Sequence, residues 1–185
     1  MRSIKLPLTF QKKNKNPSKF TINGKKITLI KEGSFGNSRF NGQLTLPKYL
    51  QSIGVGAFQG YKFSGELILP DKLTSIGAYA FNYSEFSGEL ILPNNLSSIG
   101  FGAFASSNFT GNLVLPNNLS SIEFSAFSNS KFTGTLDISN VTNIGGYAFK
   151  NSSISTVKND SLNNNNKTIN KNAIKMADGS YYSIK

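Results

Sequence analysis

Hydrophobic positions recur along this chain at a fixed interval. Glycines in the same place of a shared pattern begin units 23 residues apart, and the fullest form reads G-x-L-x-L-P-x-x-L-x-S-I-G-x-x-A-F-x-x-S-x-F. The glycines are Gly42, Gly65, Gly88, Gly111 and Gly134. A chain made of one repeated unit of this length winds into a solenoid, in which each unit is one coil. The pattern therefore predicts a β-rich solenoid of short strands and turns.

The unit that begins at Gly65 indicates how one coil runs. Leu67 and Leu69 alternate with Glu66 and Ile68, which is the period of a short strand with both leucines facing inward. The proline that follows has no N–H for a ladder and ends this strand. The later Gly77 suits a turn that needs a positive φ, and further apolar residues point inward after it.

Stacking places equivalent residues of successive coils above one another, about 4.8 Å apart. Three apolar columns result, and they are Phe58, Phe81, Phe104, Phe127 and Phe149; Ile53, Ile76, Ile99, Ile122 and Ile144; and Phe63, Phe86, Phe109, Phe132 and Ile154. The phenylalanines could instead line a slot for a hydrophobic ligand. Ala and Ile accompany them at matching spacing in every unit, which favours a core.

The ends of the chain depart from the repeat and predict caps. We divide the chain into a basic N-terminal cap with a hairpin and a half-unit (1–41), a five-unit solenoid (42–157), and a C-terminal polar loop with a capping hairpin (158–185). The first hairpin is predicted from Asn23-Gly24 between two alternating runs, with Ile22 and Ile27 on its inner face. The second covers residues 173–184.

The net charge of +11 is concentrated in the N-terminal segment. Residues 1–41 hold ten Lys or Arg and one Glu, whereas residues 42–157 hold five Lys and six acidic residues. A cluster of Lys12, Lys13, Lys15, Lys25 and Lys26 could bind a polyanion such as a nucleic acid or a sulfated glycan. The alternative is a solvated cap that blocks edge pairing by other chains.

The composition excludes most catalytic chemistry. There is no Cys and no His, so the commonest general base, the thiolate nucleophile and the usual zinc ligands are missing. Glu66 and Glu89 would meet on adjacent coils and could form a glycosidase pair or half a calcium site. Their column continues as Asn112 and Thr135 without further acids, which favours a surface pair. We expect no enzyme, no catalytic, cofactor or metal site, and no small-molecule substrate.

Two sets of outward positions vary while the core positions hold constant, which is how repeat proteins shape a recognition surface. We predict that a protein partner binds there, with exposed aromatic side chains as candidate hot spots. The alternative for the aliphatic members is plain β-propensity. The predicted partner-binding residues are Thr45, Ile68, Ile91 and Val114 on the strand face and Tyr79, Phe101 and Phe124 near the bend before Ala-Phe.

The unit L-x-L-P-x-x-L-x-S-I-G-x-x-A-F resembles the BspA-like leucine-rich repeat over about residues 30–155. Where that family often has Cys, this chain has Ser84, Ser107, Ser130 and Ser152, with Tyr61 in the second coil. Many members also lack the F-S/T-G step that links the units here. The resemblance implies a right-handed solenoid without catalytic activity, found often in bacterial surface proteins that mediate adhesion.

These observations give two functional hypotheses. The first is a noncatalytic adhesion module of a bacterial cell-surface or secreted protein that binds a host or matrix protein. The second is a polyanion-binding module that uses the basic N-terminal cap. The chain has no signal peptide and no run of about 18 apolar residues, so we expect a mature form or a fragment without a membrane span.

Overall fold

The computed structural model describes residues 3–4, 19–22, 26–35, 41–60, 62–160 and 167–183. In this part of the chain the coils stack so that each one adds a strand to each of two eight-stranded sheets. Every pair of neighbouring strands in these two sheets is parallel. The prediction of a β-solenoid built from stacked coils is confirmed.

The first sheet consists of two-residue strands taken mostly from the Ser-Ile step of each unit. The sequence pattern predicted no strand at this step, so each coil has one more strand than predicted. In the four central strands with the Ser-Ile step, Ile53, Ile76, Ile99 and Ile122 are buried in the core, and the Ser beside each is half-buried. The strands are β1 (Ser3–Ile4), β3 (Leu29–Ile30), β5 (Ser52–Ile53), β7 (Ser75–Ile76), β9 (Ser98–Ile99), β11 (Ser121–Ile122), β13 (Asn143–Ile144) and β15 (Thr168–Ile169).

The second sheet begins earlier in each unit than the sequence predicted. In two central coils the strand ends at Gly65 or Gly88, which have φ of +79° and +81°, whereas the equivalent strands of other coils continue past Gly42, Gly111 and Gly134 at similar φ. The strand placed at Leu67–Leu69 is therefore wrong, although both leucines are buried as expected. The strands are β2 (Lys19–Thr21), β4 (Asn41–Thr45), β6 (Lys62–Gly65), β8 (Glu85–Gly88), β10 (Asn108–Asn112), β12 (Lys131–Asp137), β14 (Phe149–Lys158) and β16 (Ile174–Met176).

A third side of each coil is a turn segment whose backbone also bonds from coil to coil. The amide of Phe58 donates to the carbonyl of Ala80 at 2.8 Å, and the amide of Phe81 donates to Ala103 at 2.8 Å. Every second amide in the segment repeats this pattern along the solenoid. Backbone polar groups that would be costly to bury unpaired thus find partners in the neighbouring coil.

Stacked phenylalanine rings fill the space between the three sides. Phe58 and Phe81 stack with centroids 5.3 Å apart, and Phe81 and Phe104 stack at 5.4 Å. The second ring column meets the first edge to face, as Phe86 does with Phe81 at 5.9 Å and 77°. The rings of both columns are buried. The predicted core columns are confirmed, and they extend to Phe35, which stacks on Phe58.

The two strands of the predicted N-terminal hairpin do not pair with each other. Strand β2 pairs with β4, and β3 pairs with β1 and β5, all in parallel. The Asn23-Gly24 turn itself lies outside the described residues. The two predicted hairpin strands join different sheets because each then gains a parallel partner in the next coil. Ile22 and Ile27 are nevertheless buried, as an inner face requires.

The C-terminal reversal is present. Strand β16 extends the second sheet, and the chain then turns at Asp178 and Gly179. Lys175 and Tyr181 form an antiparallel bridge, and the amide of Met176 donates to the carbonyl of Ser180 at 2.8 Å. The returning segment lies beside the last strand of this sheet.

Gly77 is required by close packing and not by a positive φ, contrary to the sequence prediction. A Cβ atom at Gly77 would lie 2.7 Å from the backbone nitrogen of Val55 in the preceding coil. The equivalent Gly54 and Gly100 have the same contact at 2.5 and 2.6 Å. The coil backbones approach too closely there for a side chain in three successive coils, whereas a later coil carries Glu123 at this position.

The serines that replace the family's cysteine form a buried polar column. The Ser107 hydroxyl donates to the carbonyl of Phe104 at 2.7 Å, and Ser152 makes the same contact with Phe149. Within the described residues the Ser130 hydroxyl has no hydrogen-bond partner, although Ser130 is fully buried. Tyr61, in the equivalent position of the second coil, is not described.

Removing a core ring should destabilise the whole array. We expect Phe104→Ala to lower the free energy of unfolding by about 3 to 5 kcal/mol, because it leaves a cavity between two stacked rings. Urea unfolding followed by circular dichroism measures this change. Val114→Ala, at an exposed position, is the control and should leave the midpoint nearly unchanged. An equal loss in both variants would contradict the assignment of the core.

Adding one methyl group at Gly77 should be costly for its size. We expect Gly77→Ala to lower the free energy of unfolding by about 1 to 3 kcal/mol, since the new Cβ would push two backbones apart. Glu123→Ala is the matched control because a side chain already occupies that place. Thermal melts of the two variants make the comparison, and a stable Gly77→Ala protein would refute the close-approach explanation.

The two buried serines should respond differently to the same substitution. Ser107→Ala removes a hydrogen bond and should lower the free energy of unfolding by about 1 kcal/mol. Ser130→Ala removes a hydroxyl without a partner and should leave stability unchanged or raise it. Parallel denaturant titrations distinguish the variants. A greater loss for Ser130→Ala would mean that its hydroxyl is satisfied in solution.

Candidate functional site

The strand-face residues form one exposed apolar column. Ile68, Ile91 and Val114 come from three successive coils, and 69%, 75% and 70% of these residues is exposed. Each follows a buried leucine, so the extended chain points it to the outside. Thr45 and Asp137 are exposed at the polar ends of the column. The structure therefore brings the predicted strand-face residues into one continuous strip.

Acidic side chains border part of this strip. A groove of about 420 Å³ has an apolar floor that includes the exposed Ile68 and Ile91, and Glu66, Asp71 and Glu89 also line it. In the part of the chain that the structure describes, these three carboxylates take part in no ion pair. An adjoining groove of about 290 Å³ shares Ile68 and Asp71 and is also lined by Tyr49 and two lysines. This region thus offers apolar contacts beside carboxylates that take part in no ion pair among the described residues, with Lys48 and Lys72 in the adjoining groove near Asp71.

The two glutamates of the strip lean toward the next coil. Atom Cγ of Glu66 would lie 3.9 Å from a Cβ atom placed at Gly88, and that of Glu89 would lie 3.2 Å from one at Gly111. Gly88 and Gly111 therefore leave room for the glutamate of the preceding coil. Among the described residues no cluster of three or more Asp, Glu, His or Cys could hold a metal ion. The pair is best described as the border of the groove.

The C-terminal end of the strip is closed by paired charges. Lys158 contacts the carboxylates of Asp137 at 3.3 Å and Asp160 at 2.9 Å. Hydrogen bonds from Ser139, with Lys158 adding to them, lower the pKa of Asp137 below its ordinary value. Burial lowers the pKa of Lys167, whose ammonium donates to the carbonyl of Ile138 at 2.7 Å. The free carboxylates therefore lie beside Ile68 and Ile91 and not at this end.

The bend residues assemble into an aromatic ladder. Tyr79 and Phe101 have ring centroids 5.0 Å apart, and Phe101 stacks on Phe124 at 5.2 Å with 13° between the rings. Tyr147 closes the ladder edge to face, 5.4 Å from Phe124. Phe101 and Phe124 are each 39% exposed. The three predicted bend residues are thus neighbours, and Tyr147 is a fourth member that the sequence prediction did not include.

The ladder depends on glycines that the sequence analysis did not connect with it. A Cβ atom at Gly102 would lie 3.0 Å from the ring of Tyr79, and one at Gly146 would lie 3.2 Å from the ring of Phe124. Tyr79 and Phe124 therefore each cover a glycine of the next coil. The detectable signal is a large aromatic residue followed by glycine at the same repeat position one unit later.

The basic residues predicted to bind a polyanion are mostly outside the described part of the chain. This applies to Lys12, Lys13, Lys15 and Lys25. Lys26 is exposed, with φ of +53°. Polyanion binding by this cluster stays a prediction from the sequence. As for a membrane, none of the described segments forms a helix long and apolar enough to cross one.

Comparisons with known proteins concern the repeat. The family model of the BspA type leucine rich repeat region matches six copies over residues 8–132 and 56–180. Among solved structures, a leucine rich cell surface protein from Faecalibacterium prausnitzii A2-165 is similar at 20% identity and a TM-score of 0.48. The match covers 80% of this chain but only 49% of that protein. A search of curated proteins gives no match. Because the family model spans most of the sequence, the chain belongs to the BspA-type leucine-rich repeat family.

Proposed function

We propose that this protein is a noncatalytic recognition module of a bacterial cell-surface or secreted protein, and that it binds a host or matrix protein. The observation that carries the proposal is the exposed strip of Ile68, Ile91 and Val114. Exposed apolar side chains next to one another favour contact with a partner, because burying them gains roughly 25 cal/mol per Å².

The rigidity of the frame supports this role. Three ladders of coil-to-coil hydrogen bonds and a core of stacked rings hold the strip in one geometry. A surface that is ordered before binding loses little conformational entropy when the partner arrives. Repeat proteins use this property when they vary surface residues on a constant core.

The aromatic ladder offers a second contact region on the same coils. Phe101 and Phe124 are held by stacking on each other and by the tyrosines at either end. Aromatic residues that are exposed but fixed in place are typical of binding hot spots. We propose that Tyr79, Phe101 and Phe124 contribute to partner binding beside the strip.

The absence of catalysis is proposed from the composition and the family. The sequence contains neither Cys nor His, which removes the commonest nucleophile and general base. The resemblance to the BspA-like leucine-rich repeat implies a binding scaffold without catalytic activity. Location at the cell surface or outside the cell is proposed on the same ground.

Introducing charge into the strip should abolish partner binding. The full chain is used to capture proteins from serum and extracellular matrix, and the captured protein is then titrated by calorimetry. We expect the double variant Ile68→Glu and Ile91→Glu to weaken binding by about 100-fold or more, since two desolvated carboxylates would face the partner.

Ser87→Glu with Thr110→Glu is the matched control, because it adds the same charge at exposed positions of the second sheet, outside the strip. This control should bind nearly as well as the original protein. High salt should also leave an apolar contact largely intact, whereas it would release a polyanion from the basic cap. Full binding by the Ile68→Glu and Ile91→Glu variant would refute the proposal.

A further inference from the structure

We infer that the strip receives an amphipathic α-helix of the partner that carries Lys or Arg beside its apolar stripe. This inference rests on the proposed function and adds the chemistry of the partner segment. It follows from two observations, namely the charge at the border of the groove and the interval at which the apolar side chains repeat.

The charge of the groove selects a basic segment. Glu66, Asp71 and Glu89 line it around the exposed Ile68 and Ile91, and none of them is neutralised by an ion pair within the described chain. The carboxylates of Asp137 and Asp160, in contrast, already contact Lys158. A partner with Lys or Arg at the edge of its apolar stripe would complement the free carboxylates, and a partner with acidic residues there would be repelled.

The interval between coils selects a helix over an extended strand. Along the chain Ile68 lies between β6 and β7, and both strands pair in parallel with those of the next coil, about 4.8 Å away. Helix side chains at i, i+4 and i+7 advance about 5.4 Å per turn, or about 10.5 Å in all. Same-face residues of a strand advance about 6.7 Å per step. The members of the stripe on a helix therefore stay opposite Ile68, Ile91 and Val114, whereas those of a strand lose register by the third contact.

The length of the strip fits about two turns of helix. It ends at Thr45 on one side and at the ion-paired Asp137 on the other, so three apolar residues are available. A helix laid along them would place its flanking basic residues on the side of Glu66 and Glu89. This is the helix-in-groove mode of recognition, in which apolar anchors at i, i+4 and i+7 enter the groove.

The test uses the full chain and two synthetic peptides of about 16 Ala-rich residues, long enough to be partly helical. Both carry Leu at i, i+4, i+7 and i+11, and the flanking positions are Lys in one peptide and Glu in the other. Fluorescence anisotropy gives the Kd of each, and circular dichroism follows helix formation on binding. We expect the Lys peptide to bind about tenfold more tightly at low salt.

The variant Glu66→Gln with Glu89→Gln should reduce the preference for the Lys peptide to about twofold, and Glu85→Gln, at an exposed position that does not line this groove, should preserve it. Equal affinity for both peptides, or no binding of either, would overturn the inference. The proposed function would survive that result if Ile68→Glu with Ile91→Glu still abolished capture of the natural partner. If that double variant captured the partner normally, the proposed function would fail instead.

Discussion

Contact between neighbouring coils is the interaction on which the rest of this structure depends. A single unit has too few apolar residues to enclose a core, so its hydrogen-bonding groups and its phenylalanines find partners mainly above and below. Phe81, for example, stacks on Phe58 and Phe104, and its amide donates to Ala103. Each coil is therefore stabilised by its neighbours, and the stability of the array is a property of the stack.

The repeat period made the fold accessible from the sequence, because equivalent residues must superpose when identical units stack. The buried columns of Phe and Ile followed directly from this. Strand bounds were less accessible, since they depend on backbone geometry that the pattern does not reveal. The strand that contains Gly65 ends before the alternating leucines begin, and Gly77 is small because Val55 of the previous coil lies against it. The Asn-Gly signal also predicted a local hairpin where parallel pairing with the next coil prevails.

The sequence likewise predicted only part of the candidate site. Alternation with buried leucines predicted that Ile68 and Ile91 point outward, and both are exposed. Their acidic border was not predicted as part of a groove, because it needs residues from different parts of two coils. The aromatic ladder was also incomplete, since Tyr147 joins it through an edge-to-face contact with Phe124. Column positions can be read from a repeat, whereas contacts that cross columns require coordinates.

The contact between rings and glycines has a consequence for how such an array can change in evolution. Tyr79 lies over Gly102, and Phe124 lies over Gly146. If the unit that contains Gly102 were deleted, Tyr79 would face Ser125, whose Cβ would occupy the place that glycine leaves empty. Units that share one core are thus not interchangeable, because each outer surface is matched to a specific successor. The order of the coils is therefore constrained, and duplication or loss of a unit would need compensating changes in its neighbours.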